Sequence, residues 1–355
     1  MARIALQGLR HSYLAHPQSE QDWALKRLDL EWEDGGAYAL LGPSGCGKTT
    51  LLNIISGLVR PTEGQVLFDG IDLTDVATDR RHIAQVFQFP VVYDTMSVYD
   101  NLAFPLRNRR VPETEVRETV QQIARMLDLE DMLRMRAAGL TADGKQKISL
   151  GRGLVRADVN AIMFDEPLTV IDPHLKWQLR SKLKELHQRI ARTMIYVTHD
   201  QTEALTFADK VVVMHEGMVV QIGTPIELFE KPHHTFVGHF IGSPGMNVLP
   251  CTVEGDKAIL DGQHVTVQNP PTAALDGKRI ELGIRPEFVS FAADGLPVAV
   301  VKVSDAGRYR IVETRHGTSR VNLLVDPDVA VPGYGAKLRF DPAYTRLYAD
   351  GWLVE

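Results

Sequence analysis

Along the first two thirds of the chain, unbroken apolar runs alternate with stretches in which apolar residues recur three or four apart. AYALL (37–41) is one such run, followed by a Gly-rich turn and then TTLLNIISGL. AIMFDEP (161–167) is a second, closed by two acids, and TMIYVTHD (193–200) is a third. Between the last two, HLKWQLRSKLKELHQRI (174–190) places Leu175, Leu179, Leu183, Leu186 and Ile190 on one helical face. This alternation predicts an α/β fold with a largely parallel sheet. In LTADGKQKISLGRGLVR (140–156), ISLGRGLVR has helical spacing, whereas TADG reads as a turn with Asp143 as the helix cap.

The pattern changes near HFIGSPGMNVLP (239–250), which is rich in Gly and Pro. Beyond it, PVAVVKV (297–303), YRIVETR (309–315), RVNLLV (320–325) and AKLRF (336–340) are short β-like runs separated by Gly, Pro, Asp and Asn. They predict a small all-β, barrel-like second domain. A length of 355 residues also favours two cores over one. The expected domains are residues 1–237 and 238–355.

Composition narrows the function. With 44% hydrophobic and 24% charged residues this is ordinary globular material. A net charge of −6 argues against nucleic acid as the main partner, because phosphate backbones need a basic surface. Two cysteines, Cys46 and Cys251, exclude a disulfide framework and suit a reducing compartment. The N-terminal residues do not resemble a secretory signal, and no run approaches the roughly 20 apolar residues that span a bilayer. Any membrane role is therefore expected to act through a spanning partner.

GPSGCGKT (42–49) fits G-x-x-x-x-G-K-[ST] and lies between a strand and a helix, the context that motif requires. Gly42, Gly45 and Gly47 let the backbone curl around Pro43, Ser44 and Cys46 so that N–H groups face a phosphate. Lys48 is expected to reach the β- and γ-phosphates, and Thr49 to ligate Mg²⁺, with Thr50 following. Asp165 ends an apolar strand, where a carboxylate can hold Mg²⁺ through water. Glu166 follows as a candidate general base for the attacking water. His199 ends another strand, where a structural and a ligand-facing role are equally compatible with the sequence. Gln88, in VFQFP, is not diagnostic by itself. Cys46, beside a helix N-terminus, is expected to have an acidified, alkylation-sensitive thiol. Cys251 is expected to be inert.

Together these residues resemble the ATPase subunits of ATP-binding cassette (ABC) transporters, more narrowly importers of the maltose and glycerol-phosphate type. The resemblance covers nearly the whole chain. It rests on the phosphate loop, VFQFPVVYDTMSVYDNLAFPL, IMFDEPLTVID, IYVTHDQTEAL and a C-terminal β domain containing LGIRPEFV (282–289), in that order. It implies a P-loop ATPase core with a helical subdomain at roughly 89–157 and a C-terminal OB-fold-like regulatory domain. It also implies ATP and Mg²⁺ as ligands. Tyr13 matches the aromatic that stacks on adenine, and Gln88 the glutamine that approaches Mg²⁺ and the attacking water. Asp165 and Glu166 match the metal-holding and catalytic acids, Asp172 a loop crossing the dimer interface, and His199 the residue that contacts the γ-phosphate. The segment from Phe89 to Asn101 matches the surface that receives a transmembrane permease. The implied location is the cytoplasmic face of the inner membrane, with a solute-binding protein as an indirect partner.

Three departures from the pattern stand out. Residues 15–24, AHPQSEQDWA, look like a short insertion after Tyr13. Gln88 is followed by FP rather than a small polar residue. The LSGGQ signature, which in this family clasps the γ-phosphate on a second ATPase, aligns with LTADG. Thr141 keeps the hydroxyl, but Ala142 and Asp143 replace both glycines and Gly144 replaces the glutamine. A side chain obstructs close backbone approach, and Asp143 adds a negative charge beside a phosphate. A homodimer would then carry two impaired signatures, whereas pairing with a second, non-identical ATPase would restore one working site. Importers of glycerol with two unlike ATPases show a similar arrangement. An ATP-binding regulatory subunit with little hydrolysis is the competing reading.

Overall fold

The computed structural model describes residues 2–156, 158–190, 192–255, 257–271, 275 and 277–354. The chain divides into two compact units, Met1–Pro225 and Ile226–Glu355. The expected boundary at 237/238 therefore falls inside the second unit. Two short helices rich in aromatic residues pack there rather than closing the first.

The first unit begins with β1 (Ile4–His11), β2 (Leu25–Trp32), β3 (Ala37–Leu41), α1 (Lys48–Ser56), β4 (Glu63–Phe68), β5 (Ile71–Asp72) and β6 (Ile83–Val86). Three helices follow, α2 (Val98–Arg107), α3 (Glu113–Met126) and α4 (Ala142–Leu154), within the span expected to be helical. The unit ends with β7 (Ala161–Asp165), α5 (Pro173–Ile190), β8 (Thr193–Thr198), α6 (Gln201–Phe207), β9 (Lys210–His215) and β10 (Met218–Gly223).

The central sheet has six strands in the order β10-β9-β3-β8-β7-β6. All its pairings are parallel except β9 with β10. Every residue of β3, β7 and β8 is buried, which is why these strands read as continuous apolar runs rather than alternating ones. A second, antiparallel sheet runs β2-β1-β4-β5 and shares a core with α1. On α5, Leu179, Leu183 and Leu186 are buried as the spacing predicts, whereas Leu175 and Ile190 are half-buried.

The C-terminal end of α1 is held by Arg81, which is only 2% exposed. Its guanidinium donates to the carbonyls of Ile54 and Ile55, both at 2.9 Å, and to those of Thr74 and Val76. A cation on the last carbonyls of a helix satisfies groups that have no partner within the helix and complements its dipole. Gly57 closes α1 at φ +80°, and a Cβ there would lie 2.5 Å from Arg81 Nε.

The second unit has α7 (Pro225–Glu230), α8 (Thr235–Phe240), β11 (Asn247–Pro250), β12 (Thr252–Glu254), β13 (Lys257–Leu260), β14 (Gln263–Thr266) and β15 (Ile280–Ile284). Then come β16 (Val289–Pro297), β17 (Ala299–Asp305), β18 (Arg310–His316), β19 (Ser319–Val325), β20 (Lys337–Phe340), β21 (Arg346–Ala349) and β22 (Trp352–Leu353). They form small antiparallel sheets, β11-β15-β21-β22, β12-β13-β14, β16-β20 and β17-β18-β19. Their inward residues share one core of Leu, Val, Ile and Phe. Arg285, in LGIRPEFV, is 3% exposed and donates to the carbonyls of Leu228, Phe229, Gly238 and Ile241, binding both short helices to this unit.

Candidate nucleotide site

Four neighbouring strands of the central sheet, β3, β8, β7 and β6, deliver the phosphate loop, His199, the Asp165–Glu166 pair and Gln88 from their C-terminal ends. Ligands of open α/β sheets bind there. The loop after β3 turns through Gly45 at φ +82° and Gly47 at φ +99°, values that favour glycine. Gly42 is required for a different reason: a Cβ there would lie 2.3 Å from the Met214 carbonyl oxygen. Lys48 begins α1, is 5% exposed, and donates to the carbonyls of Gly42 at 2.8 Å and Pro43 at 2.9 Å. The loop thus has the glycine geometry that lets backbone N–H groups and a helix N-terminus bind phosphate.

Cys46 overturns the expectation of an acidic thiol. It is 3% exposed, and burial pushes its pKa up more strongly than Lys48 pulls it down. The helix N-terminus was legible in the sequence, but the protein packed over Sγ was not.

Thr49 Oγ1 lies 3.3 Å from Asp165 Oδ1, so the loop hydroxyl meets the carboxylate that ends β7. Burial raises the Asp165 pKa; the Thr49 hydrogen bond opposes this, Glu166 adds to it and Lys48 opposes it. A carboxylate held in an environment hostile to its own charge is suited to a cation. Hydroxyl and carboxylate are hard oxygen donors, and Mg²⁺ takes few protein ligands, filling its shell with water and phosphate oxygens. The donor set fits Mg²⁺.

Glu166 is the hub of the site. It steps off β7 with φ +46°, a left-handed conformation costing a non-glycine residue about 1–2 kcal/mol. Its backbone N–H still bonds Val197 O in β8 at 2.9 Å. This kink turns its side chain away from the direction of Asp165. Gln88 Nε2 and Thr169 Oγ1 both donate to Glu166 Oε2 at 3.3 Å, and His199 Nδ1 lies 3.2 Å from Oε1. The structure therefore brings together Gln88, Glu166 and His199, which lie far apart in sequence. The Gln88 amide contacts Glu166, while the hydroxyl of Thr49 contacts Asp165. His199 is placed by Asp200, which caps α6 by accepting from the N–H groups of Thr202 and Glu203. Thr169 was not singled out in the sequence. Its only signal is a hydroxyl three residues after Glu166, in register for a tight turn.

Tyr13 is 66% exposed, and its hydroxyl lies 3.1 Å from Thr50 Oγ1 in the first turn of α1. The insertion after it is anchored rather than loose. Arg10 stacks on Trp23 at 3.5 Å and pairs with Glu20, while Ser12 Oγ donates to the Asp22 carbonyl. Asp172 is exposed, and its Oδ1 accepts from the His174 N–H at the start of α5.

The TADG segment also differs from its sequence reading. The cap of α4 is Thr141, whose Oγ1 accepts from the Gly144 N–H at 3.3 Å; Ala142, Asp143 and Gly144 are its first helical turn. Asp143 is not the cap. Its Oδ2 lies 3.6 Å from Lys147 Nζ one turn on, and its Oδ1 is buried without a hydrogen-bond partner. Lys145 is drawn to Asp94 at 2.8 Å instead. The carboxylate thus sets a negative charge in the first turn of α4.

Comparison with known proteins agrees with this geometry. Residues 25–169 match the family model described as ABC transporter, and residues 242–289 match the MalK OB fold domain. The sn-glycerol-3-phosphate import ATP-binding protein UgpC of Bordetella avium is 37% identical over 320 residues, spanning 89% of this chain and 87% of that one. UgpC of Yersinia pestis is 36% identical over 353 residues, 98% of this chain and 97% of that one. Among solved structures, the cbiO1 component of the Clostridium perfringens cbiONQ transporter superposes with TM-score 0.58 at 28% identity, over 64% of this chain and 90% of that one. The ATP-binding cassette MJ0796, solved as a post-hydrolysis dimer with ADP and Pi, gives TM-score 0.56 at 26% identity, covering 62% and 98%. Among the described residues no helix is long and apolar enough to cross a membrane.

Proposed function

The chain belongs to the ABC transporter ATP-binding family, and from that premise we propose that it hydrolyses ATP to energise import of a small polyol, polyol phosphate or sugar. The observation that carries this is the convergence of Gln88, Thr169 and His199 on the Glu166 carboxylate beside the phosphate loop. A pure nucleotide-binding role has no use for a carboxylate held by an amide, a hydroxyl and a strand-end histidine. Glu166 orients the attacking water and takes its proton as the bond to the γ-phosphorus forms and the bond to the β–γ bridging oxygen breaks, releasing ADP and phosphate, while Gln88 and His199 fix the carboxylate. Lys48 and the loop N–H groups would bind the phosphates; Thr49 and Asp165 would hold Mg²⁺, which would supply charge neutralisation. Tyr13, whose hydroxyl lies beside Thr50, would meet the base.

The substrate class rests on the sn-glycerol-3-phosphate importers named above. On this reading the chain sits on the cytoplasmic face of the inner membrane against permease subunits, and a solute-binding protein delivers the substrate.

The partner ATPase is proposed to be a different chain. Two unit charges 4 Å apart repel by on the order of 4 kcal/mol at an effective dielectric near 20. Lys147 offsets part of this for Asp143, and the rest weakens the clasp that TADG offers to ATP on the partner. ATP on this chain would instead meet the partner's own signature. Native mass spectrometry of the complex purified through a tag on this chain tests this. A mass containing two copies of this chain and no second ATPase refutes the pairing. Uptake of labelled glycerol, glycerol phosphate and maltose by the reconstituted complex tests the substrate class, and transport of none of them rejects it.

A further inference from the structure

The second unit contains a cavity of about 450 Å³ lined by Arg346, Lys231, His233, Gln268 and Asn269 and by an apolar wall at Leu353. Arg346 opens β21 opposite Gly283 of β15 and is only 8% exposed. One of its terminal nitrogens, Nη1, donates to Gln268 Oε1. Its Nε is buried and has no hydrogen-bond partner among the described residues. Among the described residues the lining contains no Asp or Glu.

That is an unusual end for a buried guanidinium, since buried charges are normally paired and their donors satisfied. Two other buried arginines show the structural solution. Arg285 and Arg81 each spend their donors on four backbone carbonyls. Arg346 has one neutral amide. Burial, the strongest influence on it, holds its pKa below the ordinary arginine value, with Tyr348, Glu230 and Tyr344 acting weakly in the other direction. The frame around it is already built. The Gln268 N–H donates to the Thr345 carbonyl at 2.8 Å. Asn269 is fully committed: Nδ2 donates to the carbonyls of Leu347 and Val354, and Oδ1 accepts from the Leu347 N–H. Asn269 therefore fixes the walls, leaving Arg346 as the group facing an incoming ligand.

We propose that this cavity binds a small oxyanion, a phosphate, sulfate or carboxylate group, through the Nε edge of Arg346, with the positive charge of Lys231 in the same lining adding attraction. The planar guanidinium suits such groups because its parallel N–H bonds match two oxygens. The site lies outside the nucleotide residues, so it does not depend on the ATPase reading.

The test uses the full chain with Lys48→Ala, so that the phosphate loop does not report, and with ¹⁵N-labelled arginine. Inorganic phosphate, sulfate and acetate are titrated separately at constant ionic strength against chloride. The Arg346 Nε–Hε resonance, assigned by its loss in Arg346→Lys, should shift and saturate with at least one of them. Saturation with phosphate and sulfate but not acetate assigns a tetrahedral anion; the reverse assigns a carboxylate. Calorimetry should show at least tenfold weaker binding in Arg346→Lys. If that variant misfolds by circular dichroism, Lys231→Ala should weaken binding at least threefold. Shifts that merely track chloride, or unchanged affinity in the folded variant, overturn the proposal.

Discussion

Replacing Glu166 by Gln keeps the shape of the hub and removes its basicity. Glu166 Oε2 accepts from Gln88 and Thr169, and Oε1 faces His199 Nδ1. With the amide oxygen at the Oε2 position both donors keep an acceptor. The amide NH₂ then faces an imidazole nitrogen that can accept it in its other tautomer. At most one ordinary hydrogen bond is at stake, about 1 kcal/mol, and the backbone at φ +46° is no more strained than before. The chemical loss is larger. A positioned general base contributes about 10²–10⁴-fold, which is roughly 3–5 kcal/mol of barrier at 1.36 kcal/mol per tenfold. The assay is single-turnover phosphate release by the intact complex, alongside equilibrium binding of a fluorescent ATP analogue. Expected are a hydrolysis rate reduced at least a hundredfold at this chain's site, nucleotide affinity within about threefold of wild type, and no transport. A variant that retains a tenth of the hydrolysis rate at that site refutes the general-base assignment. One that loses nucleotide binding refutes the separation between hub and phosphate loop.

Other outcomes follow from the same geometry. Asp165→Asn should raise thermal stability at neutral pH. The native pKa of Asp165 lies above its unfolded value, so ionisation favours the unfolded chain and stability falls as pH rises through that window. A stability gain that persists below the ordinary Asp range would contradict this cause, and so would no gain at neutral pH. Thr141→Ala should remove the cap of α4, costing about 1 kcal/mol, with faster amide exchange confined to its first turn; unchanged exchange there rejects the cap. Gly57→Ala forces a side chain into left-handed backbone and against Arg81, so a loss of at least about 1–2 kcal/mol is expected in denaturant unfolding. Native Cys46 and Cys251 should both react slowly with Ellman's reagent, Cys251 because burial and Glu281 push its pKa up to about 12. Rapid modification of either in the folded chain would contradict that environment.

The fold was legible wherever burial on both faces leaves an unbroken apolar run. AYALL is β3 at both ends, and the acids of AIMFDEP fall where β7 stops. The phosphate loop could be read because Gly45 and Gly47 are required by local backbone geometry and Lys48 stands at a fixed spacing after them. TADG was less legible, because Thr141 and Asp143 are both good caps and only the backbone path shows that the helix starts two residues before Gly144. Cys46 was misread because a helix N-terminus is local, whereas the burial that outweighs it comes from distant residues. The meeting of Gln88 and His199 at Glu166 depends on strand order, which local patterns do not encode. The division at Pro225 was missed because aromatic residues of short helices carry no mark of which core they will join.

Arg81 has a mechanical consequence. The nine residues of α1 form a rod about 13 Å long, with the phosphate-gripping turn at one end and Arg81 clamped to the other. Arg81 lies just ahead of β6, the strand that runs toward Gln88 and the exposed aromatic segment after it. A push on the front of the rod is therefore delivered, through a buried guanidinium rather than a flexible loop, to the root of that strand. The connection from the phosphate loop to the root of β6 is stiff by construction, and its pivot is one arginine at the far end of the helix.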